Sequence, residues 1–241
     1  MMKVALAVLF LTQPLITLAT DVYSDQFQRV RSVELYEITD DTNEEKLIEK
    51  KELPSELSIL LKRSRVKSVT GAVGVIMITK ELIALGEEIY EIIDAGKPVA
   101  DINSTPVSVL PKNNKGEAIA AYDLTNWKVP KAKKYKVVTT NYLGMRPASF
   151  EFMLIYTYGG DYQGKGKYIS SAQIKPTAVN LKWGYDLNVN FSVQSITNQG
   201  STEDPIAGAV LELSYKISNV LQEVQNSKTF YINGLGLTKE Y

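Results

Sequence analysis

The run VNLKWGYDLNVNFSVQ, Val179 to Gln194, alternates without a break. Its odd positions read Val179, Leu181, Trp183, Tyr185, Leu187, Val189, Phe191 and Val193, and its even positions are polar or glycine. Successive side chains of a strand point to opposite faces, so the pattern predicts a strand with one buried and one wet face. Leu211, Leu213, Tyr215 and Ile217, set against Glu212, Ser214, Lys216 and Ser218, repeat it. Further strands are predicted at 136–142, 149–158, 168–175 and 229–233, separated by turn signals such as Gly159-Gly160 and Asn198-Gln199-Gly200. One buried face per strand marks antiparallel pairing, and residues 98–241 are predicted to form an antiparallel β-sandwich, with a barrel as the other solution. An outer-membrane barrel would set Lys239 and Asn233 against lipid, where polar groups are costly.

Upstream of this region the period changes. Between Gly74 and Ala95, Val75, Ile78, Leu82, Leu85, Ile89 and Ile92 recur at helical spacing, with Lys80, Glu81, Glu87, Glu88, Glu91 and Asp94 opposite. This predicts one long amphipathic helix over 68–97, closed by Gly96 and Pro98. Residues 20–67 read as a charged helical or irregular segment. Asp40 to Glu56 carries seven acidic and three basic side chains, and Lys62-Arg63-Ser64-Arg65-Val66-Lys67 then adds four positive charges. It fits either a pair of surface helices, with Pro54 opening the second, or a pro-segment removed at the basic run. At the start, Met1-Met2-Lys3, the apolar Val4 to Leu11 and the small-residue end Thr17-Leu18-Ala19 have the order of a signal peptide over 1–19. The protein is therefore expected to be secreted, extracellular or, from a bacterium, periplasmic. The apolar run is far shorter than the ~20 residues of a spanning helix.

Composition narrows the chemistry. The chain has no cysteine and no histidine, which removes Ser-His-Asp and Cys-His catalysis and the commonest zinc sites. A core must replace disulfides as the source of stability. Lysine plus arginine and aspartate plus glutamate each total 27, so no nucleic-acid footprint shows in the overall charge. Gly164-Lys165-Gly166-Lys167 lacks phosphate-loop spacing and reads as a hairpin loop. Asp161, Glu203 and Asp204 are carboxylates with no partner in sequence, Asn103 and Asn190 open glycosylation sequons, and no cofactor motif is present. Binding is best placed on aromatic residues. Tyr156, Tyr158, Tyr162 and Tyr168 surround the loop from Gly159 to Lys167, and Tyr162, between glycines and charges, is the leading contact candidate.

Signal peptide, acidic segment, basic pair Lys62-Arg63, amphipathic helix and cysteine-free β domain follow one another in an order that resembles the precursor layout of actinoporins, pore-forming cytolysins. Tyr158-Gly159-Gly160-Asp161-Tyr162 keeps an aspartate and tyrosines of that family's lipid-binding turn, without its proline or tryptophan. The resemblance implies a non-catalytic protein that contacts a membrane lipid or another surface through Tyr158, Asp161, Tyr162 and Tyr168, inserts the helix, and forms a homo-oligomer if it makes pores. The alternative is a soluble extracellular or periplasmic β-sandwich module for binding or structure, with no membrane activity.

Overall fold

The computed structural model describes residues 26–39, 42–53, 74–87, 89–93 and 106–241, and its architecture is almost entirely β. The strands are β1 (Val30–Ile38), β2 (Glu45–Glu52), β3 (Gly74–Ile78), β4 (Leu82–Glu87), β5 (Ile89–Ile93), β6 (Val107–Pro111), β7 (Lys131–Asn141), β8 (Ala148–Tyr162), β9 (Lys165–Leu181), β10 (Asp186–Asn198), β11 (Ala207–Ser218), β12 (Glu223–Asn233) and β13 (Thr238–Glu240). They form an eight-stranded sheet in the order β2-β1-β7-β8-β9-β6-β4-β3 and a five-stranded sheet in the order β13-β12-β11-β10-β5. Every paired strand runs antiparallel to its neighbour, as the alternation predicted.

Aromatic side chains join the two layers. Phe150 of β8 meets Tyr215 of β11 edge to face at 5.1 Å between ring centroids, and Tyr135 of β7 meets Phe230 of β12 at 5.1 Å. Both sheets contribute to one continuous apolar cluster, the arrangement a β-sandwich requires. Polar contacts close the sides. The Tyr135 hydroxyl donates to Glu240 Oε1 at 2.7 Å, and Lys133 Nζ reaches Glu37 at 2.8 Å and Glu240 at 3.1 Å. Burial, reinforced by Glu240, drives the Tyr135 phenol far above its ordinary pKa. The buried Lys228 of β12 points between the layers and meets Glu49 of β2 at 3.5 Å.

The predicted long amphipathic helix is absent: Gly74–Ile78, Leu82–Glu87 and Ile89–Ile93 are β3, β4 and β5, and they supply strands to both sheets. Of the proposed helical face, Leu82 is buried, but Ile78 is 62% exposed and Leu85 is exposed too. Leu82, Ile83 and Ala84 are consecutive and all buried, which no helical stripe allows. The side chains of Val75, Ile89 and Ile92 lie outside the described residues. β-Branched residues dominate Val75 to Ile78 and Ile89 to Ile93, and tertiary pairing has followed that propensity over the 3.6-residue spacing.

Two further expectations change. Val179 to Gln194 is not one strand: β9 ends at Leu181, Lys182 to Tyr185 make a turn, and β10 enters the other sheet at Asp186. Inward packing holds for Tyr185, Leu187, Val189, Phe191 and Val193, whereas Trp183 is 92% exposed. The charged N-terminal segment contains strands: β1 pairs with β7 and buries Val30, Val33 and Leu35, and β2 forms the charged sheet edge. Charges of both signs along Glu45–Glu52 discourage pairing with another chain. The signal-peptide segment 1–19, the second surface helix after Pro54, the basic run 62–67 and Asn103 lie outside the described residues. Asn190 is half-buried within β10, a poor glycosylation acceptor.

Five loops share one device. Asn113, Asn141, Asn198, Asn219 and Asn233 stand where a strand gives way to a loop, and each side-chain carbonyl accepts two backbone N–H groups of the loop that follows. Backbone donors that leave the ladder are thereby satisfied within the loop. Both ends of the molecule are fixed in this way.

Candidate functional site

Tyr158, Asp161, Tyr162 and Tyr168 come together at one end of the sheets, with different exposures. Asp161 is buried and is part of a clasp. Its carboxylate accepts from Asn126 Nδ2 at 2.7 Å, from Thr125 Oγ1 at 3.2 Å and from the Gly164 N–H at 3.2 Å, with Lys167 Nζ 3.6 Å away. Asp161 and Thr125 also exchange both backbone hydrogen bonds at 2.9 Å. These donors, the Asn126 amide foremost, hold the Asp161 carboxyl below its ordinary pKa. The clasp fixes the loop before β7, and Trp127 of that loop lies over Gly160, where an added Cβ would come within 2.5 Å of the indole. Gly159-Gly160 is thus not the predicted turn but a bulged stretch of β8, with Gly159 at φ of 81°, on which a loop packs. The turn itself is Gln163-Gly164, with φ of 55° and 76°, the left-handed pair that a tight hairpin favours.

Tyr158 is half-buried, with Lys131 Nζ 5.3 Å from its ring centroid. Tyr162 and Tyr168 line a groove of about 530 Å³. Four loops form it: Lys80-Glu81 between β3 and β4, Pro111 to Gly116 after β6, Tyr162 to Lys165 at the β8–β9 turn, and Thr202 to Pro205 between β10 and β11. Tyr168 is only 3% exposed, and its hydroxyl makes no hydrogen bond with the described residues. Burial, with the Asp204 carboxylate nearby, pushes its phenol up to about 12. Of the expected contact residues, Tyr162 thus lies at the groove wall, and Asp161 is engaged in the clasp.

The opposite end has another character. The β7–β8 turn (142–147), the β9–β10 turn (182–185) and the β11–β12 turn (219–222) meet around the chain at Phe27 and Gln28. Asn141 Nδ2 donates to the Phe27 carbonyl at 2.7 Å, the Tyr185 hydroxyl to the Gln28 carbonyl at 2.7 Å, and Asn219 Nδ2 also to Gln28. Lys182 N–H reaches the Pro147 carbonyl at 2.8 Å. From this fixed base project Met145, Trp183, Val220 and Leu221, all exposed. Arg146 and Lys182, the neighbours of Met145 and Trp183, are exposed as well. Sequence reasoning placed Trp183 on the inner face; Gly184, with φ of 85°, was the available sign that the alternation is broken there by a turn.

Among the described residues no group of three or more acidic side chains is placed to hold a metal ion, and no helix is long and apolar enough to cross a membrane. Comparison of the chain with family models, curated proteins and solved structures finds no match.

Proposed function

We propose that this is a secreted, non-catalytic β-sandwich protein that docks on a membrane surface through the tip carrying Met145, Trp183, Val220 and Leu221. The exposed Trp183 carries the reading. An indole held in water at the apex of a turn has no packing to perform, and tryptophan favours the boundary between lipid and water. Full burial of such a ring is worth about 4 to 6 kcal/mol at ~25 cal/mol per Å². Arg146 and Lys182 beside the apolar residues suit an anionic leaflet, each adding about 1 kcal/mol near its surface. The act proposed is docking by loops; insertion of a helix from 68–97 is not part of it, because β3, β4 and β5 within that range are strands of the two sheets.

Trp183 also reports on the event. Mixing the protein with phosphatidylcholine vesicles, with and without phosphatidylserine, shifts indole emission to shorter wavelength and carries the protein into the vesicle pellet, more strongly with the anionic lipid. Trp183→Ser abolishes both changes, while Trp127→Phe leaves them in place. Absence of vesicle binding at either composition overturns the proposal.

A further inference from the structure

At the end opposite the docking tip, we propose that the groove around Tyr162 and Tyr168 is a binding site for a neutral, polyhydroxylated ligand, a saccharide unit of a glycan. This goes beyond the membrane reading and stands or falls without it.

The lining decides the class. Lys80 and Lys165 offer donors, a third lysine, Lys112, already donates to the Thr79 carbonyl, Glu81 and Glu203 offer acceptors, and Asn114 and Gln163 offer both. A phosphate or sulfate would meet the two carboxylates, and a cation would meet the lysines. An apolar ligand would strip water from all of these groups without replacing their hydrogen bonds. Sugar hydroxyls donate and accept at once, so they can satisfy both kinds of group. Tyr162 supplies a flat apolar face on the wall of the same groove, where the C–H side of a pyranose ring can lie. The volume of about 530 Å³ is in the range of small-ligand sites.

Tyr168 is the independent sign of a ligand. Its ring is buried, it borders the groove, and its hydroxyl has no hydrogen-bond partner among the described residues. A hydroxyl in such a place is satisfied by water or by what displaces it. Its neighbourhood is fixed: an added Cβ at Gly166 would come within 2.5 Å of the ring, and the Gly166 N–H is held by Asp204 Oδ1 at 2.7 Å. The phenol is therefore held in one position at the groove, which limits the entropy lost on binding.

The test is an array of neutral and acidic glycans probed with the intact protein, followed by calorimetric titration of the glycan captured. Capture of a neutral glycan is expected. Tyr168→Phe, which removes one oxygen and no hydrogen bond of the fold, should weaken it by about tenfold, and Tyr162→Ala by at least as much. Trp183→Ser should leave the affinity unchanged, so loss of vesicle docking and loss of glycan binding are read separately. Capture of sulfated or sialylated glycans alone, capture of none, or an affinity that Tyr168→Phe does not alter would each overturn the assignment.

Discussion

Tyr185 and Tyr168 are both buried, both have phenols raised to about 12 chiefly by burial, and stand at opposite ends of the molecule. The Tyr185 hydroxyl donates to the Gln28 carbonyl and ties the turns of the apolar tip to the chain at Phe27 and Gln28. The Tyr168 hydroxyl ties nothing among the described residues. The difference separates side chains that the fold needs from those it leaves over. Asparagines and backbone ladders at both ends, and the Asp161 clasp at the groove end, account for the shape of the loops. Trp183 at one end, and Tyr162 with the Tyr168 hydroxyl at the other, are not required by that shape. They are the residues on which the two proposals rest.

The strongest test of equal rigidity at the two ends is to remove one loop-holding asparagine from each. Asn141→Ala leaves the N–H groups of Leu143 and Met145 without their partner and the Phe27 carbonyl with only the longer bond from the Tyr185 hydroxyl. Asn233→Ala removes the partner of the N–H groups of Leu235 and Leu237 and of the Gln199 side chain. Both asparagines are buried, so each substitution should cost about 2 to 4 kcal/mol in urea unfolding. A loss confined to one end would show that the other is held by its side chains only in appearance. Next in size is the tyrosine pair itself. Tyr185→Phe is expected to cost about 1 kcal/mol, and Tyr168→Phe to stay within about 0.5 kcal/mol of the parent. Equal losses for the two would mean that Tyr168 has a partner in the fold, which would undercut the groove as a ligand site.

Acid separates the ends in a different way. Asp161 has a folded pKa below that of a free carboxyl, chiefly through the Asn126 amide and then through Thr125, Gly164 and Lys167. Its contribution to stability is complete above the unfolded value of about 3.9 and is lost as pH falls through the lower folded value. Asp161→Asn should therefore lower the melting temperature by a constant amount down to about pH 4, and the gap between variant and parent should close below it. A gap that persists at pH 2 would show that the carboxylate's charge is not what fastens the loop at Thr125 and Asn126. On the alkaline side both ends behave alike: raised phenols at Tyr168 and Tyr185 give stability that is complete below about pH 10 and is lost as pH climbs toward 12.

Strand alternation was legible where a strand has one wet face. Leu211 to Ile217 and Leu187 to Val193 fall inward as their period requires. The segment 74–93 was not legible, because strands supplied to both sheets carry near-continuous apolar runs, and such runs match helical spacing as well as any other. The site was legible in part for a related reason. Tyrosines clustered near a glycine loop pointed to the end that holds the groove, but only the fold brings Lys80, Asn114 and Glu203 to that groove from three distant loops. Asp161 misled because a carboxylate beside glycines reads as exposed until the distant Thr125-Asn126 pair is brought against it. Trp183 misled because eight alternating positions in sequence run across a two-sheet connection, where the chain leaves one layer at Leu181, turns, and enters the other at Asp186.

The smallest expected change in stability is the one that bears most on function. Trp183 is almost wholly in water, in a turn whose backbone is held by the Lys182 N–H to the Pro147 carbonyl and by the buried Tyr185 next to it. Neither contact uses the indole. Trp183→Ser should therefore leave urea unfolding within about 0.5 kcal/mol of the parent, the usual range for a surface substitution away from packed features. A ring that contributed to the core would cost several times more. Near-neutral stability together with lost vesicle binding would place the side chain outside the fold and inside the interaction. A loss of 2 kcal/mol or more would instead mean that the indole packs against its own molecule in solution, and the apolar tip would then have to be redrawn around Met145, Val220 and Leu221 alone.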